Sequence, residues 1–111
     1  MNKGEIGKMK VLLVCNAGMS TSILVQKMEM AAKEQNIDLT ISAMAFTQAE
    51  KVLKDWDVVM LGPQVRHQLA GIEKAAEGQV PVEVINMRDY GTMNGKNVLK
   101  RAIEIVEARK Y

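Results

Sequence analysis

Residues 10–22 read Lys-Val-Leu-Leu-Val-Cys-Asn-Ala-Gly-Met-Ser-Thr-Ser, and this stretch decides the fold. The run over residues 10–15 is apolar almost throughout, which is typical of a strand buried on both faces of a parallel sheet. Residues 20–35 then place apolar side chains at helical spacing on one face: Leu24, Met28, Ala31 and Ala32. A strand followed at once by an amphipathic helix predicts the first unit of an α/β domain.

The same alternation continues to the end of the chain. Further strands are predicted over residues 39–46, 57–61 and 82–85, and further helices over residues 47–53, 65–78 and 98–106. The spacing of Thr47 and Glu50 predicts a capping box at the start of the second helix, and residues 86–95 are predicted to form a polar loop. Four strands alternating with four helices, without hairpin signals, predict a three-layer sandwich around a four-stranded parallel sheet. We predict the flavodoxin-like strand order 2-1-3-4.

Composition indicates one globular domain. The chain has 111 residues, of which 48% are hydrophobic and 25% charged. Its net charge of +2 is spread along the sequence without a basic block, so no nucleic-acid partner is expected. A single cysteine, no apolar run of membrane-spanning length and a polar start together predict a cytoplasmic protein. No cluster of Cys and His is present to hold a metal, and no cofactor is predicted.

The loop after the first predicted strand carries the candidate chemistry. Cys15 opens it at the carboxyl end of the strand, where ligands of open parallel sheets bind. The residues that follow are mostly small or hydroxylic: Asn16, Ala17, Gly18, Met19, Ser20, Thr21 and Ser22. The amides of such a loop and the start of the next helix can converge on a phosphate, and they also favour a reactive thiolate.

Two other interpretations compete with a phosphorylated cysteine. Cys15 can simply be a small buried residue at a strand end, with the hydroxyl residues serving as a helix cap. Its place at the binding edge favours the reactive interpretation. Low-molecular-weight tyrosine phosphatases and related arsenate reductases have an arginine six residues after the cysteine, and Thr21 occupies that position here. The loop therefore suits a carrier better than a hydrolase. A phosphatase-like enzyme and a non-catalytic flavodoxin-like signalling module remain the alternatives.

Three stretches together carry a resemblance to a known family. They are the loop Cys-x-Ala-Gly-Met-Ser-Thr-Ser with its strand, Leu-Gly-Pro-Gln-Val over residues 61–65, and Asp-Tyr-Gly from residue 89 through Gly95. With them the chain resembles the enzyme IIB component of the lactose/cellobiose branch of the bacterial sugar phosphotransferase system. The resemblance implies a single domain of this type over residues 10–111. Residues 1–9 are then a flexible N-terminal extension.

The resemblance also implies a function. Cys15 would accept a phosphoryl group from a phosphohistidine of the IIA component and pass it to a disaccharide or β-glucoside bound by the IIC permease. Residues 16–22 map onto the phosphate-binding loop, although Asn16 stands where serine is frequent in the family. This phosphotransferase subunit is expected to be a monomer that works in the cytoplasm, transiently at the inner face of the membrane. The transported sugar stays open among cellobiose, chitobiose, lactose and aromatic glucosides.

Transfer between two partners requires Cys15 to be exposed, and residues near the loop become candidates for the partner interface. These candidates are Met19, Gln64 and Tyr90. Arg66 follows the same strand as Gln64, and His67 is predicted to be a solvated or boundary residue rather than a relay. Asp89 is interpreted as loop structure with a chance of partner contact, while a general-acid role like that in the phosphatases remains open.

Overall fold

The computed structural model describes residues 7–15 and 19–110 of the chain. Residues 1–6, 16–18 and 111 lie outside the described residues, as do the side chains of residues 19–21 and 110. The strands are β1 (Lys8–Val14), β2 (Asp38–Met44), β3 (Val58–Leu61) and β4 (Val82–Val84). The helices are α1 (Met19–Glu34), α2 (Phe46–Ala49), α3 (Leu69–Ala76), α4 (Met87–Gly91) and α5 (Gly95–Lys110), with 3₁₀ segments at Leu53–Asp55 and Pro63–Gln68.

The four strands form one parallel sheet in the order β2-β1-β3-β4, which confirms the predicted topology. Their register brings the carboxyl ends level. Val14 of β1 pairs with Met44 of β2 and with Leu61 of β3, and Leu61 pairs with Val84 of β4. The residues that follow the four strands therefore form one row at the carboxyl edge of the sheet.

Successive side chains of β1 enter two different cores because they point to opposite faces of the sheet. Val11 and Leu13 pack with side chains of α1 and α5, whereas Leu12 and Val14 pack with residues of α2 and α3. All four are fully buried, and burying an aliphatic side chain contributes about 1.5–3 kcal/mol. The continuous apolar run is thus explained by a central strand that helices cover on both sides.

The predicted N-terminal extension is too long. Lys8 and Met9 already belong to β1, where Lys8 pairs with Asp38 and Met9 is only 1% exposed. Because Met9 alternates with the exposed Lys8 and Lys10, it points into the core between α1 and the sheet. Any extension ends before Lys8, and residues 1–6 lie outside the described part of the chain.

Two local predictions are wrong. The capping box at Thr47 is absent, because α2 begins one residue earlier at Phe46 and its N-cap, Ala45, has no side chain that could cap the helix. The polar loop over residues 86–95 contains the helix α4. The side chain of Asn86 starts that helix by accepting hydrogen bonds from the backbone N–H groups of Arg88 and Asp89.

Candidate phosphoryl-transfer site

Cys15 continues the central strand at the carboxyl edge of the sheet. Its N–H donates to the carbonyl of Met44 over 3.0 Å, and the N–H of Gly62 donates to the carbonyl of Val14 over 2.9 Å. Cys15 is therefore flanked by β2 on one side and β3 on the other, and α1 begins four residues later at Met19. This is the switch point of an open parallel sheet, where the fold places its ligands.

The thiol of Cys15 is free, but the residue is buried, with 3% of its surface exposed. The expectation that Cys15 is exposed is therefore wrong for the isolated chain. Its backbone explains part of this burial, because the hydrogen bond to Met44 holds Cys15 within the sheet between two neighbouring strands.

The predicted phosphate-binding loop is described in part. Asn16, Ala17 and Gly18 lie outside the described residues, and so do the side chains of Met19, Ser20 and Thr21. The backbone from Met19 onward forms the start of a 16-residue helix whose first turn contains no acidic side chain. A helix start without nearby carboxylates favours an anion, because its free N–H groups carry a partial positive charge. Ser22 lies on the exposed surface of this first turn.

The structure brings together two of the predicted interface residues. The side-chain amide of Gln64, in the segment after β3, donates a hydrogen bond to the hydroxyl of Tyr90 in α4 over 2.9 Å. Gln64 is exposed, whereas Tyr90 is half-buried and packs against the core on the α1 side. This bridge joins the segments that follow β3 and β4, the two strands on one side of Cys15.

Gly62 makes room for this bridge. A Cβ atom at Gly62 would lie 2.7 Å from the side-chain oxygen of Gln64 and 3.5 Å from the ring of Tyr90. The first distance is shorter than an ordinary contact, so a larger residue would push Gln64 aside. Gly62 was named from the sequence only as part of the motif over residues 61–65, since a contact made by residues far apart in the chain leaves no local signal.

Asp89 has a structural role in the site. Its carboxylate accepts a hydrogen bond of 3.1 Å from the side chain of Asn97, which ties α4 to α5. Asn94 caps α5 by accepting from the N–H of Asn97 over 3.0 Å. The interpretation of Asp89 as loop structure is thus supported, although the loop is a short helix. Asn86 and Asn94 were missed as caps, yet an asparagine just before a helix is a recognisable signal.

The remaining candidates lie on the surface. His67 is exposed within the 3₁₀ segment Pro63–Gln68, which confirms the prediction of a solvated residue. Arg66, its neighbour, is exposed as well.

Another glycine sets the contact between α5 and α1, the helix that begins four residues after Cys15. Gly95 is the first residue of α5, and a Cβ atom there would lie 2.5 Å from the carbonyl carbon of Lys27 and 2.6 Å from the amide nitrogen of Met28. Both atoms belong to the backbone of α1, so the two helices touch at this point without an intervening side chain. Gly95 therefore determines how closely α5 supports α1. Gly95 was named from the sequence as the end of the third motif, but its contact with α1 was not predicted.

Comparison with known proteins identifies the family. The family model described as lactose/cellobiose-specific IIB subunit of the phosphotransferase system (PTS) matches residues 10–101. A galactose-specific EIIB component from Lactococcus lactis subsp. cremoris is 43% identical over 98 residues, which cover 83% of this chain and 91% of that protein. These matches define a subunit of a phosphotransferase. The chain belongs to the lactose/cellobiose-specific IIB family of the sugar phosphotransferase system.

A solved structure supports the same assignment. The solution structure of the cellobiose-specific phosphotransferase IIB component protein from Borrelia burgdorferi has a TM-score of 0.77 and 48% identity, covering 92% of this chain and 94% of that one. A lactose-specific EIICB component from Lacticaseibacillus casei is 28% identical over 67 residues, which make up 12% of its length. IIB components work with IIA and IIC partners, and in this last relative IIC and IIB share one chain.

No helix within the described part of the chain is both long and apolar enough to cross a membrane.

Proposed function

We propose that this chain carries a phosphoryl group on Cys15, receiving it from a phosphohistidine of IIA and passing it to a sugar bound by IIC. The observation that supports this most strongly is the position of Cys15. It follows the central strand at the switch point of the sheet, and the helix α1 starts four residues later. The family membership supplies the phosphotransferase context.

In the first transfer, the thiolate of Cys15 attacks the phosphorus of the phosphohistidine in line with the departing nitrogen. The S–P bond forms while the P–N bond breaks, and the imidazole takes the electron pair of that bond. The phosphoryl group brings negative charge to the start of α1, where the first turn has no carboxylate to repel it. The helix N–H groups and the loop amides of residues 16–18 then stabilise that charge.

In the second transfer, a hydroxyl oxygen of the sugar attacks the same phosphorus. The O–P bond forms, the S–P bond breaks, and the thiolate of Cys15 leaves with the electron pair. The hydroxyl proton goes to a base at the acceptor site. A thiolate is a good leaving group. Because the sugar hydroxyl and not water accepts the phosphoryl group, the carrier is regenerated without hydrolysis. Thr21, which stands where phosphatases have arginine, leaves the loop without the guanidinium clamp that accelerates hydrolysis.

Burial of Cys15 makes partner docking part of the mechanism. Cys15 exposes 3% of its surface, so docking of a partner would have to increase the access to its sulfur. Met19, Gln64 and Tyr90 are the proposed contacts, and the hydrogen bond between the last two is the link that docking would rearrange. We place this transfer in the cytoplasm and, transiently, at the inner face of the membrane, with the chain acting as a monomer. The proposed domain spans from Lys8 onward.

The test uses isotopically labelled phosphoenolpyruvate, the general phosphotransferase proteins and a IIA component. With IIA present, the chain should acquire label that iodine removes, because iodine cleaves a thiophosphate. Without IIA, labelling should be far slower. Label that persists in the Cys15→Ser variant would contradict the assignment. Rapid release of phosphate from aryl phosphates would instead support the phosphatase-like alternative.

A further inference from the structure

The outer face of α1 carries two large apolar side chains that are exposed to solvent. Ile23 is 50% exposed and Met30 is 62% exposed. They lie on one stripe of the helix, because a separation of seven residues is nearly two full turns at about 3.6 residues per turn. Lys27 lies between them on the same side. Single exposed apolar residues are ordinary on protein surfaces, but an aligned pair on the helix that begins four residues after Cys15 suggests a contact surface.

A groove of about 280 Å³ runs along this stripe, between α1 and the start of α5. Lys27 and Met30 line one wall, and Met93 and Lys96 line the other. The groove exists because Gly95 lets α5 approach the backbone of α1 closely, which leaves the flanking side chains to form its rims.

The groove is positively charged along its middle. Within the described chain, neither Lys27 nor Lys96 has a carboxylate partner, whereas Arg101 and Lys54 do. Glu34 is the single acidic residue among the groove-lining residues, and it lies at the end of α1 farthest from Cys15. Two unpaired ammonium groups beside exposed methionine suit a partner that presents a carboxylate next to an apolar side chain.

We propose that this stripe of α1, formed by Ile23, Lys27 and Met30, is together with Lys96 of α5 a docking surface for an acidic and apolar face of the phosphoryl donor IIA. The inference rests on the proposed function of Cys15. The stripe begins in the helix whose first turn adjoins the Cys15 loop, so a protein that reaches the sulfur from the carboxyl edge is well placed to cover it. The stripe lies outside the predicted interface of Met19, Gln64 and Tyr90.

IIA is favoured over the IIC permease as the protein that binds this surface, because the two partners encounter the IIB domain in different ways. In the Lacticaseibacillus casei relative, IIC and IIB belong to one protein, and a covalent link supplies a high effective concentration without a large docking surface. A IIA component that is a separate protein must reach the IIB domain by diffusion, whether or not IIB is fused to IIC. Complementary charge accelerates such encounters and acts most strongly at low ionic strength.

The experiment measures the rate of phosphoryl transfer from phosphorylated IIA to Cys15 by rapid quench at low and high salt. The test variant is Lys27→Glu/Lys96→Glu. The matched control is Lys51→Glu/Lys74→Glu, which changes two exposed lysines on the opposite side of the sheet by the same charge. The test variant should transfer on the order of tenfold more slowly at low salt, with the deficit shrinking as salt is raised. The control should stay close to wild type.

A second variant tests the apolar part of the stripe. Met30→Ser should raise the KM for phosphorylated IIA severalfold and leave kcat unchanged, since Met30 contributes to docking and not to the reacting atoms. Circular dichroism and thermal unfolding verify that each variant is folded.

The outcomes separate the two proposals. A wild-type chain that no IIA labels would overturn the carrier function and the stripe together. A labelled wild type with equal rates in the test and control variants would overturn the stripe alone. If only transfer to permease-containing vesicles were slowed, the surface would belong to IIC and the proposal would be wrong.

Discussion

Replacing Gly95 by alanine tests whether direct contact between α1 and α5 holds the site helix in place. The added Cβ would lie 2.5 Å from the carbonyl carbon of Lys27 and 2.6 Å from the amide nitrogen of Met28. Unbonded carbon atoms prefer a separation of about 3.5–4.0 Å, so the helices must move apart by roughly an ångström. These two atoms belong to the backbone, and a third, the Cβ of Lys27 at 2.5 Å, is held in place by it. A change of side-chain rotamer therefore cannot relieve the clash.

The expected loss of stability is about 1–3 kcal/mol, the usual cost of overpacking a close contact. Alanine is a better helix former than glycine by up to about 1 kcal/mol, but this gain is smaller at the first residue of a helix. For a domain of this size each kcal/mol corresponds to roughly 3–6 °C in Tm. Moving α1 also shifts the start of the helix beside Cys15, so phosphoryl transfer from IIA should slow in the folded variant.

Urea unfolding of Gly95→Ala and of Gly91→Ala measures the effect against a matched control. Gly91 lies in α4, and a Cβ atom there would have no neighbour within 4 Å. Gly91→Ala should therefore be neutral or stabilising by up to about 1 kcal/mol. Ordinary surface substitutions change the free energy of unfolding by up to roughly 0.5 kcal/mol. If the free energy of unfolding of Gly95→Ala differed from that of wild type by no more than this, the helix contact would not be as close as described.

Three further substitutions test other parts of the structure. Gly62→Ala should displace the side chain of Gln64, which bonds to Tyr90, and lower the free energy of unfolding by about 0.5–1.5 kcal/mol. The NMR signals of the Tyr90 ring should shift, and unchanged signals would argue against the bridge. Asn86→Ala removes the cap of α4 and should lower the free energy of unfolding by about 1 kcal/mol, while an unaltered value would show that the cap is dispensable. The hydrogen bond and charge of Lys54 lower the pKa of Glu77. Their pairing therefore stabilises the fold fully at pH values above the ordinary pKa of that carboxyl, and this stabilisation is lost as the pH falls through the lowered pKa. Lys54→Met should therefore be less stable than wild type at neutral pH and equal to it in strong acid, and a difference that persisted in acid would have another cause.

The fold was predictable because its strongest determinants are local. A central strand covered by helices on both faces needs apolar residues at every position, and Val11 to Val14 show that pattern directly in the sequence. The parallel arrangement followed from the absence of hairpin signals and the handedness of crossovers. The order 2-1-3-4 was chosen because it is the flavodoxin-like one, and the structure has it. Cys15 was identified because the carboxyl edge of such a sheet is where ligands bind, a property of the topology rather than of any one contact.

The features that were missed depend on contacts between distant parts of the chain. Gly95 matters because α5 lies against α1 at that point, and the angle between two helices is not encoded in either one alone. The capping box at Thr47 was expected from spacing, but the helix starts one residue earlier, where Ala45 offers no cap. Burial of Cys15 was missed because its exposure depends on how the neighbouring strands β2 and β3 flank it.

The most direct test of the carrier function is phosphorus NMR of the chain after incubation with phosphorylated IIA. A single phosphoryl group in the chemical-shift range of an S-linked phosphate, located by mass spectrometry on the peptide that contains Cys15, is the predicted result. The signal should disappear when IIC and its sugar are added, with phosphorylated sugar as the product. A phosphate on His67 or on a loop hydroxyl, or a phosphocysteine that releases only inorganic phosphate when IIC and sugar are present, would contradict the account.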